Sequence, residues 1–420
     1  MKQKQFSFMG GSIWGNRGAE AMLVTSIGEL RKMAPELEFN VFSVYPKNDA
    51  QLIKDAKVRI FNGKPLQMAL WHFPWALLAA FFRLFKIKIP LPKSLAHMRD
   101  SEALLDIGGI TFSDGRTLQL LFNVFTIWPA MLMGVPVIKL SQATGPFKKP
   151  MNRKLATIFF SKSEKVFSRG YISSEFLKTL HLPGEKVIDA ADIAFRYEPE
   201  YALSDENEGR VSLLEKKLLD VRRDGSKVVA VVPSSLVLKQ SRKLGINYPA
   251  KLLNMVLSTI EDNVNYVFLP NGTRASSDKI MNNDIIAIRA IRDYFAEELP
   301  KDVFNGIDWV DFDLNTRAVR KLIKASDACV SSRFHAMVAG LALCVPTMVI
   351  GWSHKYQETL TDFAMQDYAV DYKSTELKIL KVYQSFLANN KQIAKTLTEH
   401  IADVKQSSGR QFEYLKDRFF

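Results

Sequence analysis

SSRFHAMVAGLALCVPTMVIGWSHKYQETL, residues Ser331–Leu360, is the stretch whose reading decides the fold. DACVSS (Asp327–Ser332), which leads into it, reads as a buried strand ending in small polar residues. FHAMVAGLAL has helical spacing and small side chains, VPTMVIG is a second β-branched run, and a further helix begins near Lys355. Strand, helix, strand, helix is a parallel βαβ pattern, and it places both strand ends on one edge of the sheet. Ligands of open α/β sheets sit at that carboxyl edge. Arg333 and His335 follow the first strand and Lys355 follows the second. Three groups able to carry positive charge therefore gather where a substrate would lie, and the expectation is an anion site.

Working outward, 420 residues suit two domains rather than one. In the N-terminal half QFSFMG, EFNVFSVY, EALLDIGG, VPVIKLSQ, EKVFSR and KVIDAAD read as strands. Helices over RGAEAMLVTSIGELRKM, over Leu118–Met133 and from Met151 alternate with them. Composition then shifts to a charged, turn-prone stretch with one surface helix. KVVAVVPSS opens a second series, continued by NYVFLPNG, IDWVDF, DACVSS and VPTMVIG, and helical pattern alone follows Ser374. The expected organisation is an N-terminal α/β domain at 1–200, a connection at 201–226, a C-terminal α/β domain at 227–373 and C-terminal helices at 374–420. Two Rossmann-like α/β domains facing each other across a central cleft is the simplest architecture.

A formal charge of +13 and a pI near 9.4 call for an acidic partner: a phosphorylated metabolite, nucleic acid or an anionic membrane surface. The basic residues are scattered rather than interleaved with aromatics in one run, and no recognition motif appears, so nucleic acid is set aside. Cys329 and Cys344 lie in apolar runs without metal-ligand spacing and read as inert core residues of a reducing compartment. The N-terminus has two lysines but no sustained apolar core, so a secretory signal is not expected and the protein reads as cytoplasmic. MALWHFPWALLAAFF (Met68–Phe82) complicates this. It is nearly free of charge, interrupted by Pro74 and followed by Arg83, Lys86 and Lys88. Three readings stand: a helical hairpin buried against the core, a segment lying in a bilayer interface, or a re-entrant or spanning element. The interfacial one would make 68–88 a peripheral contact with the inner face of the cytoplasmic membrane.

Other strand ends carry further candidates. GGSIWGNRGAEAM follows the first strand, and Asn16-Arg17-Gly18 leads into a helix N-terminus able to hold an anion or sugar hydroxyls. Its spacing fits neither a dinucleotide fingerprint nor a P-loop. The paired glycines of DIGGITFSDG imply close backbone approach, and SRGYISSEFL sets Arg169 just before a helix. AADIAF puts Asp192 at the end of the last N-terminal strand, a position equally suited to helix capping. FLPNGTRASSDKIMNND supplies Asn271, Thr273, Asn283 and Asp284, which suit the hydroxyls of a polar ligand. No metal spacing, nucleophile elbow or C-x-x-C is present.

SSRFHAMVAGLALCVPTMVIGWSHKY, together with GNRGAEAML, SRGYISSEFL and AADIAF, resembles the polysaccharide pyruvyl transferase family, in order from Gly11 to about Asp371. The resemblance implies a GT-B-like glycosyltransferase architecture and transfer of the pyruvyl group of phosphoenolpyruvate onto two hydroxyls of a sugar, forming a ketal in cell-surface polysaccharide. It implies that Arg169, His335 and Lys355, with Arg333 beside them, bind phosphoenolpyruvate, and that His335 is the general acid. Asn16, Arg17, Glu20, Asp192, Asn271, Asn283 and Asp284 become acceptor or cleft residues. Members often carry an acidic residue after the mid-chain arginine, where this chain has Gly170. No cofactor or metal is called for. The expected partners are phosphoenolpyruvate and a sugar or lipid-linked oligosaccharide acceptor. The rival reading keeps the fold and takes a nucleotide sugar as donor.

Overall fold

The N-terminal strands are apolar on both faces, as a parallel sheet covered by helices on each side requires. In β1 (Gln5–Met9), Phe6 and Phe8 join one core while Met9 joins another. β2 (Glu38–Ser43) divides likewise, Phe39 and Val41 against Phe42. β3 (Val58–Asn62), β4 (Leu104–Asp106), β5 (Ile110–Thr111), β6 (Val137–Thr144), β7 (Lys165–Ser168) and β8 (Val187–Asp189) complete an eight-stranded sheet. Its order is β3-β2-β1-β4-β6-β7-β8, with β5 paired to β6, and every pairing is parallel. The computed structural model describes residues 3–115, 117–198, 206–274 and 282–420.

The second sheet has β9 (Lys227–Val232), β10 (Val264–Phe268), β11 (Asp308–Trp309), β12 (Ala328–Ser331), β13 (Thr347–Gly351) and β14 (Ala369–Asp371). These six parallel strands run in the order β11-β10-β9-β12-β13-β14. This is the doubly wound α/β arrangement, whose winding reverses between its first and fourth strands. The reversal falls between β1 and β4 in one sheet and between β9 and β12 in the other. A ligand crevice belongs outside the carboxyl ends of those strands. At the first reversal the strand ends nearly touch: a Cβ on Gly10 (φ +83°) would lie 2.6 Å from the Gly108 amide nitrogen. Only glycine meets both demands there.

The chain divides into two units, one of 1–14, 19–204 and 405–420, the other of 15–18 and 205–404. Three details depart from the linear partition read from the sequence. Within the stretch expected as a connection, helix Glu208–Arg223 buries Val211 and Leu218 in the second unit's core. Helix Asn390–Phe419 ends in the first unit, with Phe412 and Leu415 in the core of Phe6 and Phe8. The loop Gly15–Gly18 groups with the second unit. An amphipathic pattern reveals that a helix has an apolar face but not which core that face will meet.

Met68–Phe82 forms a π-helical turn (Met68–His72) followed by helix Phe73–Leu84, which packs on helix Thr117–Met133. Met68, His72 and Ala76 are buried, whereas Leu70, Leu77 and Phe81 are exposed, so the buried hairpin describes one side of this segment only. Among the described residues no helix is long and apolar enough to cross a membrane.

Candidate functional site

β12 ends in Ser331 and Ser332, and the chain turns through Arg333 into helix Phe334–Ala342. The Ser331 hydroxyl pins that turn, accepting from the Arg333 amide (3.0 Å) and donating to its carbonyl (2.8 Å). The Arg333 side chain reaches across the winding reversal. Its Nε donates to both Asp284 oxygens (3.0 and 2.8 Å), its Nη2 donates to Ser235 Oγ (3.1 Å), and Nη2 is also paired with Asp284. Asp284 is wholly buried and also accepts from the Ser235 amide (2.9 Å) and the Asn271 amide (3.2 Å). Burial opposes the guanidinium's charge, but the Asp284 carboxylate more than offsets this and holds its pKa above the ordinary value. Arg333 was expected to offer its charge to an anion and Asp284 to line the cleft. The two charges pair with each other and form a strut joining the ends of β9, β10 and β12.

His335 is the second residue of the same helix and is half-buried. Gly18 lies against its ring so closely that a Cβ there would fall 2.0 Å from Nδ1. The loop bearing Gly18 is tied into the second unit: the Arg17 amide donates to Asn271 O (3.3 Å), and Thr316 Oγ1 donates to Arg17 O (2.8 Å). Buried Arg17 also pairs with Asp313 at 3.3 Å. Exposed Asn16 accepts from the Gly18 amide (3.1 Å) and so caps helix Arg17–Met33. The GNRG segment thus shapes one wall beside His335.

The Phe334 ring links the remaining parts. Its centroid lies 5.2 Å from the His335 ring, 5.7 Å from the Tyr356 ring and 4.7 Å from Lys355 Nζ. Tyr356 OH donates to Ser332 O (3.1 Å), and Tyr248 OH shares a 2.8 Å hydrogen bond with Ser332 Oγ. Burial pushes the Tyr356 phenol up to about 12 and raises Tyr248 further, so both stay neutral. A cavity of about 270 Å³, lined by Gly351, Trp352, Ser353, Tyr356 and Asp371, opens at the ends of β13 and β14. Helices Phe334–Ala342 and His354–Thr361 both begin at this edge, adding their N-terminal amides to its positive character. Asn271 and Asn283 are buried close by in sequence, and Asn283 Nδ2 donates to Arg274 O (3.4 Å).

Arg169, Asp192 and Glu20 belong to the first unit. Arg169 pairs with buried Asp192, and its Nη2 donates to Gly109 O (3.0 Å). Asp192 lies three residues beyond β8 rather than at its end, and its carboxylate caps the 3₁₀ turn Ile193–Arg196 by accepting from the Ala194 amide (2.8 Å). Gly170, the departure from the family pattern, has φ +88° and precedes helix Tyr171–Lys178. An acidic residue would be strained in that conformation. Glu20 is buried in the first turn of helix Arg17–Met33.

Sequence reading passed over a second buried pair here. Lys139, fully enclosed within β6, donates to Asp106 Oδ2 at 2.5 Å beside the Phe112 and Phe160 rings. A lone lysine inside the apolar run VPVIKLSQ was the available signal. Ser235, Tyr248 and Tyr356 carried none, because hydroxyl residues at strand ends are commonplace. Cys329 is buried, with its thiol pushed up to about 12, while Cys344 is only half-buried. Among the described residues, no group of three or more His, Cys, Asp or Glu is placed to hold a metal ion.

The profile of one family, described as polysaccharide pyruvyl transferase, matches residues 16–354. The amylovoran biosynthesis protein AmsJ of Erwinia amylovora is 20% identical over 442 residues, spanning 96% of this chain and 99% of its own. Among solved structures, the UDP-GlcNAc 2-epimerase of Neisseria meningitidis bound to UDP-GlcNAc superposes with a TM-score of 0.54 at 14% identity, covering 98% of this chain and 99% of that one. The spinosyn rhamnosyltransferase SpnG gives 0.50 at 10% identity, covering 98% and 100%. These likenesses concern the fold, which is of the GT-B type in both units' α/β construction.

Proposed function

The chain belongs to the polysaccharide pyruvyl transferase family, and on that premise we propose that it moves the pyruvyl group of phosphoenolpyruvate onto two hydroxyls of a sugar, closing a pyruvate ketal. The observation that carries this reading is the assembly around Phe334. It groups an imidazole, an ammonium and two helix N-termini at one sheet edge, within the span matched by the family except for Lys355, which adjoins it.

Phosphoenolpyruvate is a small, dense anion with a phosphate and a carboxylate, so its site needs cations and oriented amides. With Arg333 and Arg169 neutralised by Asp284 and Asp192, Lys355 and the helix amides carry most of that role in our scheme. His335 donates a proton to the methylene carbon, leaving an oxocarbenium-like centre at C2. One sugar hydroxyl adds there and its proton returns to the imidazole. The second hydroxyl forms a C–O bond at C2 as the C2–O bond to phosphate breaks, its proton leaves with the inorganic phosphate, and C2 keeps its methyl and carboxylate between the two sugar oxygens of the ketal. An imidazole suits a group that must give and then regain a proton near neutrality.

Calorimetric titration tests the donor. Phosphoenolpyruvate should bind in preference to UDP- and GDP-sugars, and Lys355→Ala should weaken it at least tenfold. His335→Ala should still bind phosphoenolpyruvate but show no turnover, whereas ordinary turnover by that variant would remove the general acid. Binding of a nucleotide sugar instead would make the protein a glycosyltransferase.

A further inference from the structure

Between Asp55 and Asp100 the chain carries eight Lys or Arg and no acidic residue. The same segment presents the most apolar exposed surface on the first unit. In helix Phe73–Leu84, Pro74, Leu77, Leu78, Phe81 and Leu84 are exposed. At 3.6 residues per turn they fall within an arc of about 120°. Leu66 and Leu70, both more than 70% exposed, and half-exposed Trp71 extend the stripe at one end, while Phe85 and Ile87 extend it at the other. The far side, through Met68, His72 and Ala76, is anchored in the core. Together the exposed residues present on the order of 1,000 Å² of largely apolar surface, well beyond the few hundred Å² usual on a soluble monomer.

We propose that this face, residues 64–93 of the first unit, docks onto the surface of a lipid bilayer bearing anionic headgroups. The apolar arc holds no charged side chain that would have to be desolvated as it sinks among acyl chains. Exposed bases stand at both of its ends, Lys64 before and Lys86, Lys88 and Lys93 after, where headgroup phosphates would meet them. Trp71 sits at the stripe's edge, as an amphipathic ring prefers at a membrane interface. A protein partner or a second copy of this chain could cover apolar side chains, but neither explains a segment purged of acidic residues for its whole length. The helix spans twelve residues, too few to cross a bilayer, so it lies in the plane.

Flotation of the full chain with vesicles separates these cases. Vesicles of phosphatidylcholine containing a quarter phosphatidylglycerol should carry the protein upward, and neutral phosphatidylcholine vesicles should do so much less. High salt should weaken the anionic partition. Leu77→Ser/Phe81→Ser should reduce it at least tenfold, and because both side chains are already exposed the melting temperature should stay near that of the parent. Lys86→Glu/Lys88→Glu, which leaves the apolar stripe intact, should reduce it about fivefold or more per residue. No flotation with either vesicle would overturn the proposal. So would equal binding to both, or a stable dimer dissociated by Leu77→Ser/Phe81→Ser.

Discussion

Arg333 and Asp284 illustrate how a charged residue at a strand end can hold neighbouring strand ends together. The pair is bidentate and screened from water, and its removal leaves a wholly buried carboxylate without its counter-charge. Arg333→Ala should cost roughly 3–5 kcal/mol of stability, read as a lower denaturant midpoint. An unchanged midpoint would mean that Arg333 serves the substrate rather than the fold. Gly18 makes the complementary case. An alanine there must displace the His335 ring, and under the proposed role of His335 as general acid a misplacement of about 1 Å costs on the order of a hundredfold in rate. Gly18→Ala should therefore depress turnover a hundredfold while melting close to the parent protein. The residue types at the carboxyl edge were legible in the sequence because strand ends can be counted. Which cation would be neutralised was not, since Asp284 lies 49 positions from Arg333 and only the folded sheet brings them together.

At the scale of elements, the 331–360 stretch delivered its pattern: β12, helix Phe334–Ala342, β13 and helix His354–Thr361 lie where periodicity put them. VRIFN (β3) and AVD (β14) were passed over. Both are edge strands, the second only three residues long, and neither has the β-branched density that marks a central parallel strand. The segment 68–84 was ambiguous for a different reason. Its composition is apolar almost all round, so burial and exposure cannot be separated without knowing what packs beneath. His72 gives this element a pH signature. Its ring is buried, donating through Nδ1 to Gln67 O (3.2 Å) with Ser94 Oγ at Nε2 (2.9 Å), and desolvation lowers its pKa below 6.5. The unfolded chain then takes up a proton that the folded chain refuses, so stability is full above pH 6.5 and falls as pH drops from there toward the folded value. His72→Gln should flatten this acid limb in melting curves taken between about pH 7.5 and 5. An unchanged limb would assign it elsewhere.

For the whole molecule, the doubly wound order of both sheets follows from alternating strands and helices, and the sequence reading reached it. It did not reach the return of the C-terminus. Phe412 and Leu415 are buried in the first unit, Phe419 meets Phe6 edge-on at 5.4 Å, and Lys4 Nζ donates to Phe419 O at 2.5 Å. Ending the chain after Val404 should remove roughly 5 kcal/mol or more from the first unit, most of what a domain of ordinary stability possesses. Limited proteolysis should then digest the first unit while sparing the second. Equal resistance of both would show that the last helix is dispensable.

This closure also sets an order of events during synthesis. The strands that meet Phe412 leave the ribosome before residues 205–404 of the second unit, yet their covering helix leaves after them. Throughout that interval the nascent sheet shows an unsealed apolar face, the condition in which chaperones bind and neighbouring chains aggregate. A gene cut at the 204/205 boundary would therefore yield one half with a permanently open flank. Supplying residues 405–420 as a separate peptide, or grafting them after residue 204, is what would make that half a self-sufficient folding unit.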